Sequence, residues 1–311
     1  MTDRKTDEPE TDILHKFGTH LDWNESFYFN VYDRKQDICA FMRIGLRPNR
    51  EEKGMFCYLL MPDGSTLGTR STQPLGNTRL VSAGLSFERV VPEKEWKLRF
   101  KGTMRHTMGS DIHREDVSFD FTYRALSRTF DYKECMTGER EVPDSANAAE
   151  HTEQTGTVDG FAVIDGKTIS ISGLGERDHS WGLRDWTAPS VWVWLSCQFS
   201  QRLAFNATRL IVGKDVVDGG FLFKDGDNVP LVKTDIITEY RKDGGPKSIK
   251  MWLMEKNGEV HELEADILRS VKMPFSVSTE KSVSVMYETL ARFKMGVETG
   301  YGIAEYLNRE S

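Results

Sequence analysis

The sequence lacks any unbroken apolar run of about 18 residues, which excludes a helix that spans a membrane. It lacks a basic surplus: 41 Lys and Arg face 48 Asp and Glu, a net charge of -7, so nucleic-acid binding is not expected as a main activity. The opening "MTDRKTDEPETD" has no apolar stretch of the kind a secretory signal needs, and a cytoplasmic chain with a disordered tail over 1–12 is expected. Cysteine is scarce. Cys39, Cys57, Cys135 and Cys197 form no CxxC pair, which removes the usual zinc and redox spacings and leaves buried free thiols. No GxxxxGK[ST] loop occurs, and no GxGxxG opens a helix. The acidic "KDGDN" at 224–228 lacks the closing Glu of a calcium loop. Cofactors are therefore expected to be none: no metal, no nucleotide, no flavin.

Long amphipathic helices are also scarce; the best candidate is "SANAAEHTEQ" at 145–154. What fills the chain is period-two alternation, which sends successive side chains to opposite faces of a strand. "WKLRF" sets Trp96, Leu98 and Phe100 against Lys97 and Arg99, and "VSFDFTYRA" sets Val117, Phe119, Phe121 and Tyr123 against Ser118, Asp120 and Thr122. "ESFYFNVYD" sets Phe27, Phe29 and Val31 against Tyr28, Asn30 and Tyr32. Asp-Gly and Asn-Gly turns at 63–64, 165–166, 225–226, 243–244 and 257–258 separate such runs, because positive φ at the turn matches the twist of a hairpin. The pattern predicts an all-β protein. Its 311 residues fit two antiparallel barrels or sandwiches better than one, with a crossover near Thr187–Pro189. The segment 132–156 is the least regular.

One stretch combines residue types that neither a loop nor a core strand usually holds. "GLGERDHSWGLRDW", Gly173–Trp186, carries two Arg, four acids or imidazoles and two Trp. Gly173 and Gly175 are expected to break a strand that begins at "KTISIS". Beyond them Glu176, Asp178 and Ser180 fall on one face, and Arg177, His179 and Trp181 on the other. Two readings compete. In one, Arg177 and Arg184 fork onto Glu176, Asp178 or Asp185 under Trp181 and Trp186, and the cluster clamps two domains together. In the other, the segment lines a cavity in which Asp178 or His179 moves a proton. A cation near Asp178 favours its ionised form, whereas imidazole titrates near neutrality, so His179 competes for the role of acid. "SVWVWLSCQFS" places Trp192, Trp194, Ser196 and Gln198 on one face, either the wall of a ligand pocket or a strand covered on both sides, and Asn206 is a candidate to join it. Arg43 falls on the side of Phe41 and, if buried, needs a carboxylate such as Glu25. His151 and Glu153 stand isolated in the sequence.

The run "GLGERDHSWGLRDW", with "HTEQTGTVDGFAVIDG" before it and "WNESFYFNVYD" and "FMRIGLRPN" near the start, resembles a bacterial family related to the hydroxyneurosporene synthase (carotenoid 1,2-hydratase) and AttH-like superfamily. The resemblance runs from about Trp23 to Tyr306. It implies two tandem lipocalin-like β-barrels, here divided as a tail 1–12, a first domain 13–186 and a second 187–311. It also implies a cofactor-independent lyase or isomerase (hydratase, dehydratase or cyclase) acting on an apolar, isoprenoid-like molecule. An acid at Asp178, with His179 as its rival, would protonate the substrate; Trp181, Trp186, Trp192, Trp194 and Gln198 would shape the pocket, and Glu176, Arg177, Arg184, Asp185 and Arg43 would orient the acid. The rival function is a lipocalin-like carrier that binds a small hydrophobic molecule and changes nothing. A cavity is expected beside Gly175–Trp186.

Overall fold

The computed structural model describes residues 10–135, 150–183, 189–276 and 283–310. Two antiparallel systems follow one another. The first contains β1 (Trp23–Asp33), β2 (Ile38–Arg47), β3 (Glu52–Leu60), β4 (Thr66–Pro74), β5 (Val81–Ser82), β6 (Leu85–Val91), β7 (Glu95–Met108), β8 (Asp111–Ala125), β9 (Phe130–Asp131), β10 (Glu150–Ile164) and β11 (Lys167–Leu183). Its order is β4-β3-β2-β1-β11-β10-β8-β7-β6-β5, and pairing of β4 with β7 bends the sheet back on itself. The second is a closed eight-stranded barrel of β12 (Val191–Ser200), β13 (Leu203–Val212), β14 (Asp215–Lys224), β15 (Asp227–Tyr240), β16 (Pro246–Glu255), β17 (Val260–Ser276), β18 (Val283–Met295) and β19 (Glu298–Glu310). The chain changes sheet between Leu183 and Val191.

The alternation read from the sequence becomes the inner face. Phe27, Phe29, Trp96, Leu98, Phe100, Phe119, Phe121 and Tyr123 meet in one core, each buried ring worth roughly 1.5–3 kcal/mol. Val193, Leu195, Cys197 and Phe205 help fill the second barrel. The Asp-Gly hairpins have the expected backbone: Asp165 and Gly166 take φ of 50° and 70°, Asp225 and Gly226 of 53° and 104°. All four cysteines are buried free thiols.

Four expectations need correction. Glu150–Gln154 belong to β10 and not to a helix, while the 145–149 half of that candidate lies outside the described residues. Gly173 and Gly175 do not break β11; they let β1 approach, since a Cβ on Gly175 would stand 1.9 Å from the Asn30 carbonyl oxygen. Asp12 is buried and ion-paired, so the ordered chain starts before the end of the expected tail. Finally, Tyr28 and Asn30, on the face expected to be wetter, are buried because the second barrel covers that face. Between the two systems lies a separate apolar cluster, with Tyr28, Phe41 and Phe56 from the first and Trp192, Trp194, Met286 and Leu290 from the second.

Candidate active site

Strand alternation sends the "ERDHSW" run two ways. Arg177, His179 and Trp181 enter the first barrel. There Arg177 pairs with Asp12 and lies over the Trp96 ring at 5.6 Å. His179 stacks on Phe27 at 3.9 Å. Its Nδ1 donates to the Thr11 carbonyl, 2.7 Å away, and its Nε2 stands 2.9 Å from Glu25. Trp181 stacks on His15 at 3.8 Å, and His15 Nδ1 reaches Glu25 at 2.8 Å. These residues seal the barrel with the N-terminal segment. Burial pushes the His179 ring below its ordinary range, outweighing the opposing pull of Glu25.

Glu176, Asp178 and Ser180 point the other way, into the layer between the barrels. Cross-strand pairing sets Glu153, Asp178, Tyr28, Arg43 and Phe56 in one row across β10, β11, β1, β2 and β3. A facing row across β13, β12, β19, β18 and β17 holds Thr208, Trp194, Glu305, Glu288 and Val271. The rows touch. Trp194 Nε1 donates to Glu153 at 2.8 Å, Tyr28 hydroxyl donates to Glu288 at 3.4 Å, and the Tyr28 and Trp194 rings meet edge-on at 5.6 Å. Trp192 Nε1 donates to Glu305 at 2.6 Å. His151 Nε2 lies 2.6 Å from Asp178 and 2.7 Å from Glu153, with Tyr132 stacked on the ring at 4.4 Å. Gln198 donates to Glu176 at 3.4 Å, and Tyr132 donates to Asn206.

Two chemically distinct groups result. Burial opposes charge on His151, yet Asp178 and Glu153 push its pKa up to about 10, so the ring is an imidazolium at neutral pH. Burial, then the charge of Asp178, raises Glu153 to about 7, against hydrogen bonds from His151 and Trp194. Burial, then Glu153, holds Glu176 well above the carboxylate range; Ser196 and Asn206 lie near enough to oppose this, but outside full hydrogen-bond geometry. The second group is Glu288 opposite Glu305. Burial raises Glu288 well above its ordinary value, and Glu305 adds to it by charge and hydrogen bond, while Tyr28 and Arg43 act the other way. Two carboxyls side by side cannot both ionise cheaply, so one keeps a proton. Glu153 Oε2, Glu176 Oε1 and Glu288 Oε1 are buried without a hydrogen-bond partner.

The layer thus collects Asp178, Glu176, Trp192, Trp194, Gln198 and Arg43, but not His179, Arg177 or Trp181, which alternation carries to the opposite face of β11. Arg43 does not meet Glu25, since Glu25 points into the first barrel; Arg43 donates to Asn24 at 3.3 Å and sits close enough to Glu288 to influence it. Arg184, Asp185 and Trp186 lie outside the described residues. His151, Glu153, Glu288, Glu305 and Tyr28 escaped sequence reasoning. A spacing of two puts His151 and Glu153 on one face of β10, and the register of the β18–β19 hairpin pairs Glu288 with Glu305. His151, Glu153 and Asp178, and likewise His15, Glu25 and His179, hold donor atoms close enough for one cation to bridge. Hydrogen bonds join each of these groups as they stand. A cleft of about 900 Å³ opens between the barrels at Tyr58, Arg70 and Val271, and no residue of Gly175–Leu183 lines it. No described helix is long and apolar enough to cross a membrane.

Solved structures share the architecture. An AttH-like protein from Nitrosomonas europaea superposes with a TM-score of 0.64 at 15% identity, covering 99% of this chain and 98% of its own. Kievitone hydratase from Nectria haematococca gives 0.61 at 14%, covering 91% and 88%. CghA in complex with Sch210972 gives 0.59 at 12%, covering 92% and 88%. The fold is therefore that of the AttH and carotenoid-hydratase-like lipocalin group. No curated protein sequence matches the chain. Residues 8–310 match the family described as "Domain of unknown function (DUF7064)", and the chain belongs to that family.

Proposed function

We propose that this DUF7064 member is a cofactor-independent lyase or isomerase that hydrates, dehydrates or cyclises an apolar, isoprenoid-like substrate by side-chain protonation. One observation carries the reading: a carboxyl pair, buried Glu288 beside half-buried Glu305, stands against the rings of Tyr28 and Trp194. A carboxylic acid kept neutral by burial can hand a proton to an alkene carbon, and aromatic faces stabilise the cation that forms. In a hydration, water then attacks the cation and gives up a proton. Asp178, held by the His151 imidazolium, is the acceptor placed across Tyr28 from Glu288. In a cyclisation the same carboxylate removes a proton from carbon instead. Arg43 draws charge onto the pair after the acid has given up its proton. A hydratase among the structures that share the fold favours this class, and the aromatic lining together with the family resemblance favours the substrate.

The test is turnover of a panel of isoprenoid alkenes and tertiary alcohols by wild type and by Glu288→Gln. The variant keeps shape and polarity but has no acidic proton. Its turnover should fall by about 10²–10⁴-fold with binding retained. Full activity in the variant removes Glu288 as the acid. Binding without turnover by wild type across the panel would instead favour a lipocalin-like carrier.

A further inference from the structure

The cleft between the barrels is charged in a way the rest of the molecule is not. The chain is acidic overall, at -7. Yet the cleft is lined by Arg70, Arg105, Arg114 and Lys272, and no Asp or Glu among the described residues lines it. Hairpin β7–β8 sharpens the contrast. Along its shared outer face Arg99 faces Asp120 at 3.0 Å, and Arg124 faces Glu95 at 3.0 Å. At the cleft the same hairpin sets Arg105 directly opposite Arg114, and neither makes an ion pair or hydrogen bond with a described residue. Like charges directly opposed across strands destabilise a sheet. The closest acid on that face, Asp116, is taken up by Thr103 at 2.8 Å. Arg70 spans the cleft to the Pro274 carbonyl at 3.0 Å.

The cleft also has an apolar wall. Tyr58 lies flat over Gly68, where a Cβ would come within 2.2 Å of the ring. It stacks on Phe41 at 5.5 Å and packs, with Val271, against the cluster that contains Tyr28 and Trp194. Burial raises the Tyr58 hydroxyl above its ordinary range, Glu288 adds to this, and Arg70 and Arg105 oppose it, so all three charged groups lie within electrostatic reach of the ring. Val271 is the cross-strand partner of Glu288.

We propose that this cleft receives the anionic head group, carboxylate or phosphate, of an amphipathic substrate whose apolar tail runs past Tyr58 toward Tyr28 and Glu288. This rests on the inter-barrel site being the place of reaction. Paired guanidinium forks match the oxygens of either anion. A head held at the cleft also fixes which part of the tail reaches the acid.

Calorimetric titration with farnesol, farnesoic acid and farnesyl monophosphate tests it. At low salt the two anions should bind about tenfold more tightly than farnesol, and about 0.5 M salt should erase the difference. The tighter anion names the head group. Both arginines are exposed, so the double variant Arg105→Gln, Arg114→Gln should melt at the wild-type temperature. It should bind all three within about twofold, with farnesol unchanged. Equal wild-type affinities, a preference that survives the double substitution, or binding of none of the three overturns the proposal. The two readings fail separately: an anion preference without turnover sinks the enzyme reading alone, and turnover without anion preference sinks this one alone.

Discussion

Alternate residues of β11 face surroundings of opposite chemistry. On the inner face every charge has an answer: Arg177 meets Asp12, and Glu25 accepts from His15 and stands against His179. None of these side chains leaves a buried polar atom without a hydrogen-bond partner. On the outer face Glu153, Glu176, Asp178, Glu288 and Glu305 share one layer, and among the described residues His151 and Arg43 are cations that act on them. Three of those carboxyls each leave an oxygen unpartnered. A balanced cluster holds a structure together, whereas an excess of buried acid holds protons. The inner face of the run closes a paired cluster inside the first barrel, and its outer face lies between the barrels, where we propose the proton chemistry.

Breaking the inner face should have the largest effect on stability. Asp12→Ala strands the Arg177 guanidinium in the core and should cost about 3–5 kcal/mol by urea denaturation. Activity per folded molecule should persist; activity lost at unchanged stability would mean that the inner face takes part in the chemistry.

The outer face should reveal itself through pH. Burial raises Glu153 to about 7 and holds Glu176 and Glu288 well above the ordinary carboxylate range, so each keeps a proton at a pH where the unfolded chain has lost it. Stability then falls as pH rises from about 4.5 through 7. His151 has the same sign: raised to about 10, its contribution is full below about 6.5 and lost as pH climbs through 10. Wild type should be several kcal/mol less stable at pH 8 than at pH 5.5, roughly 2 kcal/mol of it from Glu153, and Glu153→Gln should lessen that slope. A wild-type profile rising over this range would contradict the acid excess.

The smallest effect is expected from Trp194→Phe, which keeps the ring near Tyr28 and removes one donor from Glu153. A loss of about 1 kcal/mol should accompany an upward shift in the Glu153 titration, followed by carboxyl infrared absorption. An unmoved titration would show that the indole bond has no hold on the carboxyl.

Local pattern determined much on its own. Period-two alternation and Asp-Gly turns fixed an all-β chain, and alternation alone split Glu176 and Asp178 from Arg177 and His179, because adjacent strand side chains must diverge. The absence of nucleotide loops and CxxC pairs was equally legible. Tertiary structure decided the rest. Asp12 finds Arg177 across 165 positions and Tyr28 finds Glu288 across 260, distances that no periodic pattern spans. Glu288 and Glu305 look like ordinary surface acids in their own strands. They become a site because the β18–β19 hairpin sets them opposite one another and the other barrel then covers that face.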